Sequence, residues 1–455
     1  MMEIITASLL FMLTMFGVLM YAGRNWSSSN MSFLFANRSL NYIPAGLAIN
    51  AHWFWAIALF VGPTVAYNWG WIGLLWFAIP NALSLLVMAF IGSRIRNNYT
   101  DGFSLSEYIQ ENFSPRLAKL FQLKFALISF AGLLLSFTAI GKLWAFLGLA
   151  AFVDPVYATL VVGLITLGFT LRGGIRSSIF SGATMTLLWI LFFGVSAFSV
   201  FTSDVSILVT GKNALETIWN EKFLTNFALA FLVAIGVGAT SHGMMWQKTF
   251  SMPKENIWPS FIIASIIFVL MVLSLGSLSL FTFASGTAVS HPELSALAGI
   301  ATLFGASGLL VFSILLIGQT STIMDSAITY MASLSSREWV KKDDPKVSKI
   351  AMILFITAAW IVSFLKLEIW TIFMLMGAIR IVMFATISTH ALGLKISEAA
   401  SFYSSIVAII GAIYLSYTAR IDKLPIYDMY SAYFAIGLPL LAIVGSHFFN
   451  KFKRH

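Results

Sequence analysis

Of the 18 acidic residues, Asp325 alone falls deep inside an apolar run, and Arg380 is the one cation in the middle of such a run. A charged side chain facing lipid at that depth costs at least ~2.5–3.5 kcal/mol, so each requires a partner or a task. Asp325 follows Ser321 by four residues and Thr322 by three, which puts two hydroxyls and a carboxylate on one face of a helix. Such oxygens are the hard ligands that a small cation takes, and an interrupted helix nearby can add free backbone carbonyls. Two plainer readings stand beside this one: Asp325 and Arg380 neutralise each other, or the hydroxyls bond back to their own helix.

The elements that must position these groups show in the pattern of breakers. An apolar stretch over 43–67 contains Pro44, Gly46, Asn50, His52, Gly62 and Pro63, and another over 226–247 contains Gly236, Gly238, Thr240, Ser241, His242 and Gly243. Breakers and polar side chains together at membrane depth fit backbone that lines an enclosed cavity. Trp53, Phe54 and Trp55 sit beside the first break and offer a flat apolar wall for a small polar solute. Asn50, His52, Trp53, Trp55, Ser241, His242 and Arg380 are therefore the candidate solute contacts. Either histidine could accept a proton, bond the solute, or be a satisfied structural residue.

The composition narrows the classes. Among 455 residues, 59% are hydrophobic and 10% charged, which marks a multi-pass integral membrane protein of about a dozen helices with no length left for a soluble domain. There is no cysteine, the six histidines have no metal-ligand spacing, and no phosphate-binding loop occurs. An enzyme, an ATP-driven pump and a resident cofactor are not expected, and the net charge of +9 reads as topology, not nucleic-acid binding. About thirteen spans emerge: a first helix at 4–23, ten spans in 43–202 and 226–391, and two at 399–449. Lys212, Lys222, Lys366, Arg420 and Lys423 fall on one side of this layout; Lys124, Lys142 and Arg380 fall within spans, and the rest of the 27 basic residues fall on the other side. That asymmetry places the amino end outside and the carboxyl end in the cytoplasm; a bacterial-type plasma membrane is the expected location. The two broken spans are five apart and cross with opposite polarity, as equivalent members of two inverted five-helix repeats would. The expected fold is an all-α membrane protein, a single domain over 1–455, with a five-plus-five inverted-repeat transporter core, one extra helix before it and two after.

At these residues the sequence resembles the sodium:solute symporter family. The likeness runs from about Phe33 to Leu334, through Phe35 to Leu40, Gly62-Pro63, Tyr67 with Gly70, Gly173-Gly174-Ile175-Arg176, Trp246-Gln247-Lys248, and Ser321, Thr322, Asp325, Ser326 and Ala327. Trp53-Phe54-Trp55-Ala56 through Thr64-Val65-Ala66-Tyr67 is similar to the urea-transporting branch. The resemblance implies uptake of a small polar solute, urea first, coupled to sodium, with the carbonyls of Ala51 and Phe54 and the hydroxyls of Ser321 and Thr322 around the ion and Asp325 near it. Alignment on Asp325-Ser326 departs from the pattern, because the family's hydroxyl pair then falls on Thr322 and Ile323. Gly182 stands where sodium-coupled members often carry an Asp. A proton-coupled or carboxylate transporter of the same fold, and a sensor or channel on the same scaffold, are the alternatives.

Overall fold

The computed structural model describes residues 2–22, 29–100, 102–151, 153–205, 224, 228–342, 344–367, 369–394, 396–422 and 426–452, and every regular element among them is helical. Lys212, Lys222, Lys395 and Lys423, used in the charge argument, lie outside the described residues, as do Arg24, Lys453 and Arg454.

Helix α1 (Met2–Ala22) and the short α2 (Asn30–Phe35) precede α3 (Tyr42–Trp53), α4 (Ala56–Asn98), α5 (Leu105–Asn112), α6 (Pro115–Phe146) and α7 (Pro155–Phe201). The second half holds α8 (Leu229–Gly236), α9 (Gly243–Phe250), α10 (Ile257–Ala284), α11 (Ser295–Ser333), α12 (Pro345–Ser363), α13 (Ile369–Arg380) and α14 (Phe384–Ala391). Last come α15 (Glu398–Ile421) and α16 (Ile426–Phe452). Every span expected from the apolar pattern carries helix. Among the described residues, eight helices are long and apolar enough to cross a membrane.

Local chemistry sets the starts. Ser104, Ser114, Asp154, Asp344 and Ser397 each accept a backbone N–H of the first turn through their side chains, and prolines follow at positions 115, 155 and 345, where no N–H is needed. The Val156 N–H, with Lys366 3.5 Å away, holds the Asp154 carboxyl below its usual range.

Length sets the bends. Helix α4 has 43 residues and α7 has 47, about 65–70 Å at 1.5 Å per residue, twice the ~30 Å apolar core of a bilayer. Each turns back on a glycine, Gly70 (φ 64, ψ −153) or Gly174 (φ 55, ψ −137), in a region that L side chains avoid. At Gly174 a Cβ would lie 2.1 Å from the Phe33 carbonyl oxygen. Gly174→Ala should therefore cost ~1–3 kcal/mol in backbone strain alone and lower the unfolding temperature in detergent by several degrees. Gly194→Ala, where nothing lies within 4 Å, should leave it unchanged or raise it. Equal shifts for the two would remove the hinge assignment.

The packing centres on α3. It lies between α7 and α10, α4 runs along α10, and α11 packs on α6 and α7. Phe54, just past the end of α3, meets Trp189, Phe193 and Phe268 edge-on, with Trp189 and Phe193 stacked at 4.8 Å. Outward, Leu164, Leu191, Phe198, Leu354 and Leu441 are exposed, the apolar rim of a chain whose solvent is lipid.

Candidate functional site

Both predicted breaks exist. Helix α3 stops at Trp53, Phe54 (φ −84, ψ 64) and Trp55 (φ −97, ψ −171) leave the helical region, and α4 restarts at Ala56. Helix α8 stops at Gly236, a 3-10 turn covers Gly238–Ser241, His242 is extended (φ −99, ψ 115), and α9 starts at Gly243. A third interruption, not expected from the sequence, follows Arg380, where Ile381 to Met383 form turns between α13 and α14.

A broken helix frees backbone groups that must find partners inside the protein. Ser84 accepts the Ala239 N–H at 2.7 Å, and the Trp246 indole donates to the Thr240 carbonyl at 2.7 Å. The carbonyls of Ala51 and Phe54 both accept from the side-chain amide of Gln319 on α11, the Phe54 bond measuring 2.7 Å.

The three interruptions meet around His242. Its ring lies 5.3 Å from Trp53, 5.7 Å from Trp55 and 6.0 Å from His52, edge-on in each case. The guanidinium carbon of Arg380 is 6.0 Å from the centre of Trp53 and 5.8 Å from that of Trp55, within cation–π reach of both. Gly238 leaves room for this arginine: a Cβ there would lie 3.0 Å from Arg380 Cδ. Lys124 of α6, buried, is close enough to Arg380 and His242 for their charges to interact.

Several groups here are buried without the hydrogen bonds that burial normally demands. Trp53 Nε1, Lys124 Nζ, Ser241 Oγ, His52 Nδ1 and both ring nitrogens of His242 have no hydrogen-bond partner. Of the predicted solute contacts, His52, Trp53, Trp55, His242 and Arg380 thus converge, and Ser241 adjoins them in sequence. Asn50 is engaged elsewhere, donating to Thr186 Oγ1 at 3.2 Å and to Met271 Sδ at 3.1 Å.

The oxygens of α11 fall into two groups. Thr322 Oγ1 donates to the Gln319 carbonyl of its own helix at 2.8 Å, and Ser321 Oγ pairs with Thr166 on α7 at 2.6 Å. One turn on, the Asp325 carboxylate accepts from Ser178 at 2.5 Å and from Ser181 at 2.6 Å, both on α7. Ser326 Oγ bonds Asp325 at 3.2 Å and accepts from the buried ammonium of Lys248 on α9 at 2.9 Å. Asp325 is joined to Lys248 through this hydroxyl, not to Arg380.

Sequence reasoning passed over Lys124, Lys248, Gln319, Ser178 and Ser181. Lys124 was placed within a span and given no task; α6 begins at Pro115 and buries it. Lys248 was counted as a cytoplasmic charge. Gln319, a polar residue just ahead of Thr320, Ser321 and Thr322, was the available signal for a partner of the first break.

A cavity of about 650 Å³ lies elsewhere, between the end of α4, helix α5 and the π-helical turn Leu334–Trp339 after α11; Tyr99, Phe103, Glu107, Glu111, Arg337 and Lys341 are among its lining residues. None of the break residues borders it.

No protein-family model matches the chain, and no curated protein matches it in sequence. In three dimensions it is similar to the substrate-bound, outward-open structure of a Na+-coupled sialic acid symporter, with a TM-score of 0.73 and 17% identity over 97% of this chain and 98% of that one. At that identity the likeness shows the fold alone: the chain is an all-helical, multi-span membrane protein that shares the architecture of that symporter.

Proposed function

We propose that the chain is a secondary active symporter that moves a small organic anion, a carboxylate first, through the site where the three interruptions meet. The observation that carries this is the surplus of buried donors there: Lys124 Nζ, Trp53 Nε1 and the ring of His242 are unpartnered, and the Arg380 guanidinium is buried among them. A carboxylate is all acceptor and supplies what Lys124, Trp53 and His242 lack, whereas urea brings more N–H donors than acceptors. The pairing of 43–202 with 226–391 as inverted repeats, opening in turn to either side, belongs to the same reading, as does the amino end outside.

An anion entering a negative-inside cell works against ~2.3 kcal/mol per charge per 100 mV, so accumulation requires a cation to enter with it. Sodium is supported by the fold shared with a Na+-coupled symporter. Protons are supported by the Asp325 and Lys248 cluster.

The test is uptake into proteoliposomes of labelled small carboxylates and of urea, under an inside-negative potential with sodium or proton gradients. A carboxylate accumulated above equilibrium is the expected result. Concentrative urea uptake that no carboxylate inhibits would replace this reading with the urea transporter, and equilibration without accumulation would point to a channel.

A further inference from the structure

The crossing of α3 and α11 is where the resemblance puts a sodium ion, and the residues present do not fit one. The Ala51 and Phe54 carbonyls, the two backbone ligands, already accept from Gln319 Nε2. With no ion between them, the amide nitrogen must face the two carbonyls, because Oε1 in its place would meet only oxygens. A sodium ion between those carbonyls would lie against the positively polarised hydrogens of the amide. Alignment on Asp325-Ser326 puts the second hydroxyl at Ile323, which is buried and has no side-chain oxygen, and Ser321 is bonded to Thr166. The second oxygen cluster repeats the arrangement, with the Lys248 ammonium in hydrogen-bond contact with Ser326.

We propose that Gln319 is a built-in substitute for the coupling cation: its amide joins α3 to α11 as an ion would, and the protein neither binds nor needs sodium at this crossing. The inference rests on the symporter reading above and leaves its driving force to a cation other than sodium at this position. It has a structural consequence. In a sodium-dependent carrier the crossing would loosen when the ion leaves, whereas here it is closed at every sodium concentration.

The experiment reads binding on the purified protein, without a solute. Radioactive sodium binding and thermal unfolding in sodium or choline chloride are compared for the wild type, Gln319→Ala and Gln319→Glu. The wild type should show no saturable sodium binding and the same unfolding temperature in both salts. Either variant removes the amide donors from the two carbonyls, and should gain saturable sodium binding and a sodium-specific rise of about 3 °C or more. Gln319→Glu keeps the side-chain size if Gln319→Ala folds poorly, and recovery of a poorly folding variant by sodium but not choline supports the proposal equally. Saturable sodium binding by the wild type would overturn it, as would folded variants that still bind none. Failure of all solute uptake in proteoliposomes would instead remove the symporter reading and leave the sodium result standing.

Discussion

Arg380→Gln should lower carboxylate uptake about thirtyfold or more, because truncating one partner of a buried charged contact costs ~2–5 kcal/mol at ~1.4 kcal/mol per decade. The guanidinium is enclosed by Trp53, Trp55 and Gly238, so little water can take over its role. Lys124→Met should act in the same direction, and the two effects should fall short of additive if both cations hold one carboxylate. Arg380→Lys keeps the charge but loses the planar fork and its stacking on indole, so it should recover part of the loss. Initial uptake rates, normalised to reconstituted protein with unchanged chromatographic behaviour, read these differences. Carboxylate uptake unaffected in both Arg380→Gln and Lys124→Met would end the anion assignment, and a loss confined to urea would transfer the site to the neutral solute.

The fold was legible because a bilayer imposes two coarse rules: an apolar run of fixed length, and polar backbone only where protein encloses it. Pro, Gly and polar residues around Asn50 to Trp55 and Gly236 to Gly243 therefore announced both breaks, and His242 with the two tryptophans lies where they meet. The third interruption after Arg380 had no such signal, since Ile381, Val382 and Met383 are ordinary apolar residues. Contacts between distant helices were equally hidden. Spacing put Ser321, Thr322 and Asp325 on one helix face, but it could not tell that α7 would present Thr166 to Ser321, and Ser178 and Ser181 to Asp325. Nor could it show that the amide of Gln319 would reach the carbonyls of Ala51 and Phe54.

The Asp325 and Lys248 pair separates a structural role from a coupling role. Both are buried, linked through Ser326, and neither forms an ion pair with any other described residue. Removing one member of a buried pair strands the other at a cost of ~3–5 kcal/mol, whereas removing both can be nearly neutral. Lys248→Met alone should therefore sharply reduce the yield of folded protein and lower its unfolding temperature. Asp325→Asn alone should do less harm, because the amide still accepts from one serine and Lys248 can shed its proton. Lys248→Met with Asp325→Asn should recover most of the lost stability; simple addition of the two single losses would show that the charges do not serve each other. The recovered double variant then decides the second question. If protons drive uptake through this pair, it should bind the solute and let it equilibrate yet no longer concentrate it under a pH gradient. Concentrative uptake that survives in the double variant would place the coupling elsewhere in the chain.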